Sequence, residues 1–161
     1  MAIEVGARLP NTTFRRLGPN GPETVMADEL FAGKKAVLFA VPGAFTPTCH
    51  KNHLPGYLTN LDALQAKGVD VVAVTSVNDP FVMNAWAEAT GAKDKIEFLS
   101  DGNGDFATAI GLDFDASAGG LGLRSKRYAM VLDDMTVSYL AVEDSPGKAD
   151  LSSAEALLAS L

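Results

Sequence analysis

Cysteine is nearly absent from this chain, which has a single one, Cys49, in 161 residues. One thiol excludes an internal disulfide framework, a Cys-x-x-Cys redox pair and any zinc site built from several thiolates. A lone cysteine is most often a small buried hydrophobic residue with no reactive role. Any functional interpretation of Cys49 therefore depends on the residues around it.

Positive charge and long apolar runs are also scarce. The chain carries 13 lysines and arginines against 20 acidic residues, a formal net charge of −7. Nucleic-acid affinity depends on basic side chains that neutralise phosphates, so we expect no nucleic-acid partner. No apolar run has the length that spans a bilayer, and the N-terminus lacks a basic segment followed by an apolar one. We therefore expect a soluble, cytoplasmic protein without a membrane association.

Motifs for a metal, a flavin or a nucleotide are missing as well. The glycine-rich residues 119–122 lack the lysine and the strand-helix context of a phosphate-binding loop. We expect no cofactor and no metal. The length is typical of one hydrophobic core, so residues 1–161 are expected to form a single domain.

Short apolar runs alternate with helical patterns along the chain. The predicted elements are strands at residues 36–41, 69–75, 96–99, 127–132 and 136–142, and helices beginning at Asp79 and near Phe106. The last two strands have hairpin spacing and should pair antiparallel. Residues 18–22 are rich in glycine and proline and predict a surface loop. Ser152 and Glu155 have capping-box spacing before a closing helix. The pattern predicts an α/β domain with a mixed sheet.

Cys49 is predicted to lie at the start of a helix. Pro42 ends the preceding strand, Thr46 is an acceptable N-cap, and Pro47 suits the first helical position, which makes Cys49 the third helical residue. The free N–H groups at a helix N-terminus favour negative charge, and a thiol reacts as its thiolate. A thiolate that acts as a catalytic nucleophile also needs donors that position its substrate and stabilise the charge on the departing atom.

The residues around Cys49 carry a resemblance to a known family. Residues 42–49 have the form PxxxTxxC, which marks peroxiredoxins, and residues 50–57 resemble the type II (peroxiredoxin-5-like) subfamily. The similarity extends to residues 76–79 and 126–130 and to Ala85-Trp86. The resemblance implies a thioredoxin-like fold, in which helices flank a mixed central sheet. It also implies a homodimer that reduces hydrogen peroxide and alkyl hydroperoxides.

The resemblance also implies roles for individual residues. Cys49 would be the peroxidatic nucleophile, and the ring of Pro42 would shield its thiolate from water. Thr46 would donate its hydroxyl toward the bound peroxide. Arg127 would hold the thiolate charged and polarise the O–O bond, with Arg124 as the nearby alternative.

Type II members often have a second, resolving cysteine, and this chain does not. The plausible positions hold Val74 and Leu151. The resemblance therefore implies recycling by an external thiol, either glutathione with glutaredoxin or thioredoxin, and the sequence does not choose between them.

Other interpretations of the same residues stay open. His53 lies four residues after Cys49 and raises the idea of a Cys-His hydrolase. A histidine near a helix end, which the Pro-Gly pair at 55–56 is expected to form, is more often a packing or surface residue. His50 is expected to be exposed, and Trp86 with Phe81 is expected to pack in the core or at a dimer contact. An inert cysteine in a thioredoxin-like binding or chaperone module is the remaining alternative.

Overall fold

A seven-stranded mixed sheet organises the chain in the computed structural model, which describes residues 2–161. The strands are β1 (Thr13–Gly18), β2 (Gly21–Met26), β3 (Lys35–Ala40), β4 (Val71–Ser76), β5 (Glu97–Ser100), β6 (Asp113–Asp115), β7 (Leu123–Ser125), β8 (Tyr128–Asp133) and β9 (Thr136–Val142). The helices are α1 (Ala27–Phe31), α2 (Leu54–Thr59), α3 (Leu61–Ala66), α4 (Pro80–Thr90), α5 (Asp105–Ala109) and α6 (Ala154–Ala159). The sheet order is β2-β1-β5-β4-β3-β8-β9, and β6 and β7 form a separate hairpin.

The central strand β3 has helices over both of its faces. Val37 and Phe39 point into a core cluster that α2, α3, α4 and α6 cover, whereas Ala36 and Leu38 point into a second cluster that includes residues of α1 and α5. A strand buried on both faces is apolar throughout, which explains the continuous apolar run that predicted it. The predicted mixed α/β fold is confirmed. Among the described residues no helix is both long and apolar enough to cross a membrane.

The predicted antiparallel pair near the C-terminal end of the chain is confirmed. β8 and β9 pair from Tyr128 opposite Val142 to Asp133 opposite Thr136. The turn between them consists of Asp134 and Met135, which have positive φ angles of 49° and 71°. Two successive residues at positive φ give a tight turn whose twist matches that of the strands.

The surface loop predicted at residues 18–22 is shorter than expected, because it is the exposed turn of a hairpin. β1 and β2 form a hairpin in which Gly18 lies opposite Gly21, so only two residues form the loop. Gly21 has a φ of 106°, a conformation that favours glycine. The strands escaped prediction because Phe14 is the one fully buried residue of β1, and a strand without apolar alternation has no clear period-2 signal.

The predicted cap of the closing helix needs correction, and the core face of α4 is now defined. The N-cap of α6 is Ser153, whose hydroxyl accepts a hydrogen bond from Ala156 N (3.2 Å), and not Ser152. In α4 the cap is the predicted Asp79, but Phe81 is 61% exposed, whereas Trp86 is fully buried. The core face of α4 therefore includes Trp86 and excludes Phe81.

Candidate active site

The segment after β3 carries Cys49 into the first turn of a helix. The helix begins at Pro47, and His50 N donates its first hydrogen bond to Thr46 O (2.9 Å), as the sequence predicted. The Thr46 side chain does not cap the helix. Its hydroxyl lies 2.7 Å from Gly43 O and 2.8 Å from the Cys49 Sγ. A threonine hydroxyl has one hydrogen and can donate to only one of these acceptors at a time.

The turn that holds Cys49 has π-helical geometry. Cys49–His53 form the π segment, in which Leu54 N donates to Cys49 O, and the chain continues directly into α2. Pro55 and Gly56 therefore lie inside the helix, and the expectation of a helix end there is wrong. A proline inside a helix lacks an N–H donor, and its ring crowds the preceding turn. The preceding turn is here a π turn, which is wider than an α-helical one.

Arg127 reaches Cys49 because of the strand register. β8 is antiparallel to β3, and Tyr128 lies opposite Ala40, so Arg127 lies next to the end of β3 where the Cys49 segment begins. Its Nη2 is 2.8 Å from the Cys49 Sγ although 78 residues separate them. Arg127 is 2% exposed and Cys49 is fully buried. A guanidinium and a hydroxyl at this distance both stabilise negative charge on sulfur.

His53 contacts the arginine and not the cysteine. Arg127 Nη1 lies 2.9 Å from His53 Nδ1, and an arginine can only donate, so Nδ1 accepts and the ring hydrogen is on Nε2. Nε2 then donates to Ser152 O (2.9 Å). Burial and the Arg127 charge lower the pKa of His53 to about 3. The ring is neutral with both nitrogens occupied, so it does not provide the general base that a Cys-His hydrolase needs.

The other candidate residues occupy places close to this centre. Pro42 is buried at the end of β3, and its carbonyl accepts a hydrogen bond from Arg124 Nη1 (3.3 Å). Arg124 also donates to Leu121 O (2.9 Å). The prediction that His50 is exposed is wrong, because the ring is partly buried and its Nδ1 accepts from Trp86 Nε1 (3.0 Å). The structure therefore brings Arg127, and not Arg124, against the thiol.

The segment that joins β9 to α6, residues 144–151, closes the site from one side, and we call it the strap. Pro146 O accepts from Arg127 Nε (3.3 Å) and Nη2 (3.0 Å). Gly147 O accepts from Thr48 Oγ1 (3.1 Å). The strap's C-terminal end is fixed by the buried Glu143, whose Oε2 accepts both the backbone N and the hydroxyl of Ser152 at 2.6 Å. The contacts of Pro146 O and Gly147 O were not predictable from the sequence, because backbone carbonyls leave no residue-type signal.

The arrangement offers one nucleophile and two donors directed at it. Within residues 2–161 no group of three or more His, Cys, Asp and Glu side chains is placed to hold a metal ion. A buried thiolate that faces a hydroxyl and a guanidinium is suited to attack a small electrophile while the donors stabilise the charge that moves away.

Comparisons with known proteins agree with this chemistry. The profile of the Redoxin family matches residues 4–158. Peroxiredoxin-2E, chloroplastic, of Arabidopsis thaliana is 46% identical over 99% of this chain and 70% of its own length. Peroxiredoxin-2C of Oryza sativa subsp. japonica is 43% identical over 99% of this chain and 98% of its own. The crystal structure of reduced Prx3 from Vibrio vulnificus in complex with hydrogen peroxide has a TM-score of 0.93 and 52% identity, and each chain covers 98% of the other.

Proposed function

We propose that this chain, which belongs to the Redoxin family and is a thiol-dependent peroxidase of the peroxiredoxin type, reduces peroxides with Cys49 as its nucleophile. The observation that carries the assignment is the pair of donors, Thr46 Oγ1 and Arg127 Nη2, each 2.8 Å from the Cys49 Sγ. The proposed site also includes Pro42, which is buried in the segment between β3 and the helix that carries Cys49.

The reaction follows from the placement of these groups. The Cys49 thiolate attacks one oxygen of the peroxide, so that an S–O bond forms as the O–O bond breaks. Sulfur is oxidised to a sulfenic acid, and the departing oxygen takes a proton from solvent and leaves as water or as an alcohol. Arg127 stabilises charge first on sulfur and then on the leaving oxygen. The Thr46 hydroxyl donates to the peroxide once its hydrogen turns away from Gly43 O.

The substrates in this proposal are hydrogen peroxide and alkyl hydroperoxides. The Vibrio vulnificus relative, which has been crystallised with hydrogen peroxide, supports the first of these. The reductant in this proposal is an external thiol, namely glutathione with glutaredoxin, or thioredoxin. The two plausible positions of a resolving cysteine hold Val74, which is buried in β4, and Leu151, which is 52% exposed on the strap, and neither residue has a thiol.

We further propose that the active form is a homodimer. Exposed apolar side chains lie on elements around the Cys49 loop: Phe45 at 47%, Phe81 at 61%, Leu121 at 39% and Leu123 at 42%. The loop contacts the start of α4 through Ala44 N and Asn78 Oδ1 (2.9 Å), which brings the Phe45 and Phe81 segments together. A second copy would bury these groups. Phe81→Asp should then shift the sedimentation coefficient to that of a monomer, whereas a wild type that sediments as a monomer would contradict the proposal.

The decisive experiment is intact mass spectrometry after one equivalent of hydrogen peroxide, in the presence of a sulfenic-acid trap. We expect one trap adduct, located at Cys49, and none in Cys49→Ser. Unmodified protein together with unconsumed peroxide would overturn the assignment of Cys49.

A further inference from the structure

We propose that the buried Glu143 is a positioning residue for the peroxidase reaction, and that it holds the Arg127 guanidinium against the Cys49 sulfur. This inference deepens the proposed function and rests on it. Glu143 directly follows β9 and is 7% exposed, so its carboxylate is a buried anion that has no part in the chemical step itself. Because a buried carboxylate is costly unless hydrogen bonds satisfy it, the groups that it binds indicate what it is for.

A closed ring of hydrogen bonds begins and ends at Arg127. Glu143 Oε2 accepts hydrogen bonds from the backbone N and the hydroxyl of Ser152, both at 2.6 Å. Ser152 O accepts from His53 Nε2 (2.9 Å), and His53 Nδ1 accepts from Arg127 Nη1 (2.9 Å). The ring closes on the backbone, where Glu143 N donates to Arg127 O (2.9 Å). Glu143 therefore holds the main chain of Arg127 directly and its side chain through two other residues.

The ring fixes which nitrogen of His53 carries the hydrogen. A neutral imidazole has one N–H, so it accepts from Arg127 at Nδ1 only while its own hydrogen is on Nε2. Ser152 O selects this tautomer, because a carbonyl oxygen accepts and cannot donate. The carbonyl keeps its place because Glu143 binds two other groups of the same serine. A shift of Ser152 would therefore free the imidazole to rotate and would leave Arg127 Nη1 without its acceptor.

The consequence for catalysis follows from the planar guanidinium. Nη2 lies 2.8 Å from the Cys49 Sγ, and Nη1 belongs to the same rigid group, so a rotation that breaks the His53 contact also moves Nη2. A displacement of about 1 Å at a catalytic group can cost a hundredfold in rate. Pro146 O still accepts from Nε and Nη2 when the ring is broken. We therefore expect loss of Glu143 to have a smaller effect than loss of Arg127.

The test is stopped-flow oxidation of Cys49 by hydrogen peroxide in variants of Glu143. Glu143→Leu accepts no hydrogen bond and should lower the rate constant about ten- to a hundredfold. Glu143→Gln retains an oxygen that can accept both bonds from Ser152, so its rate constant should stay within about threefold of the wild type. The ¹⁵N signals of the His53 ring should show hydrogen on Nε2 in the wild type and in the glutamine variant, and a mixture of tautomers in the leucine variant.

Tyr57→Phe is the matched control for a general loss of stability. The Tyr57 hydroxyl donates to the same Ser152 O (2.7 Å) but lies outside the ring. The substitution removes a buried hydrogen bond at that carbonyl and should lower the melting temperature by about 2–4 °C. It should leave both the rate constant and the His53 tautomer unchanged.

Two further variants test the route and guard against a leucine variant that does not fold. If Glu143 acts through His53, adding Glu143→Leu to His53→Phe should lower the rate constant no further than His53→Phe alone. Ser152→Ala deletes only the hydroxyl bond to Glu143, and it should lower the rate constant about two- to fivefold with the same change in the ¹⁵N signals.

The possible failures are separable. A folded Glu143→Leu that is oxidised at the wild-type rate would overturn the role of Glu143, and so would an equal loss of rate in Tyr57→Phe. If the leucine variant does not fold, an unchanged rate in Ser152→Ala would overturn it. Failure of peroxide to oxidise Cys49 in the wild type would instead overturn the proposed function.

Discussion

Each nitrogen of the Arg127 guanidinium has a partner close to the reacting sulfur. Nη2 meets the Cys49 Sγ, Nη1 meets His53 Nδ1, and Nε meets Pro146 O. A group held on three sides is already oriented for the charge that develops during the reaction, and such preorganised donors are worth more than mobile ones.

Arg127→Met should lower the rate constant for peroxide reduction by about a hundred- to a thousandfold, because it removes the donor that stabilises charge on both sulfur and the leaving oxygen. Arg124→Met is the matched control, since Arg124 donates to Pro42 O and Leu121 O and not to sulfur. Stopped-flow oxidation measures the rate, and circular dichroism melting confirms that both variants fold. A larger loss in Arg124→Met would show that the wrong arginine has been assigned.

Thr46→Val tests whether the threonine acts on peroxide or on the fold. The substitution keeps the shape but deletes the hydroxyl, so we expect the peroxide rate to fall by about a hundredfold while the free energy of unfolding falls by about 1 kcal/mol or less. Thr46→Ser retains the hydroxyl and should keep most of the rate. Comparable rates in the valine variant and the wild type would leave Thr46 with a structural role only.

His53 should make stability depend on pH in a defined window. The folded pKa is about 3 against an ordinary 6.5, so below pH 6.5 the unfolded chain binds a proton that the folded chain does not. The free energy of unfolding is therefore not reduced by His53 above pH 6.5. As the pH falls from 6.5 toward 3, it decreases by about 1.4 kcal/mol per pH unit. Urea unfolding at several pH values should show a shallower decline for His53→Asn, and parallel declines would contradict the argument.

The residues of the site were predictable to very different degrees. Thr46, Pro47 and Cys49 are close in sequence, and helix-start rules place them correctly without any tertiary information. Arg127 is distant in the chain, and only the resemblance to peroxiredoxins pointed to it. The bond from His53 to Arg127 was not predictable, because helical spacing related His53 to Cys49 and gave no information about strand β8.

Among the elements, α6 follows the strap and helps to hold its C-terminal end. It therefore affects the site without contributing a residue to it. Its neighbouring serines have different tasks, since Ser153 caps the helix and Ser152 binds the buried Glu143. The capping-box rule selected Ser152 because Glu155 lies three residues after it, whereas the residue three after Ser153 is Ala156. What decides between them is Glu143, which directly follows β9 and whose carboxylate is placed against Ser152 by the tertiary structure.

Substitution by aspartate distinguishes the two serines. Ser153→Asp should keep the free energy of unfolding within about 0.5 kcal/mol of the wild type, because aspartate is also a good N-cap. Ser152→Asp places a second carboxylate against Glu143 and should lower the free energy of unfolding by about 2 kcal/mol or more. Chemical denaturation measures both values. Equal losses would mean that the two serines share one environment.

The elements themselves followed from the sequence wherever burial gave a clear pattern. β3, β4, β5, β8 and β9 were predicted close to their observed positions because they are apolar. β6 and β7 were missed because each has three residues and neither is fully buried. The order of the strands in the sheet was likewise not predictable from the sequence, because the place of β8 beside β3 depends on contacts between distant segments.

At the scale of the whole molecule, the chain has one thiol with which to complete a two-electron cycle. Without an added reductant, catalytic turnover should stop after the first equivalent of hydrogen peroxide per chain, because no internal thiol can condense with the Cys49 sulfenic acid. Excess peroxide should then consume a second equivalent and convert the sulfenic acid to the sulfinic form, about 32 Da above the reduced mass because two oxygen atoms have been added. Glutathione with glutaredoxin should sustain turnover and show a mixed disulfide at Cys49 when the reductant is limiting, and mass spectrometry follows every species. Thioredoxin in place of that system serves as the comparison. A Cys49-to-Cys49 disulfide between two chains, formed readily and reduced productively, would contradict the external-thiol cycle even though Cys49 remained the peroxidatic residue.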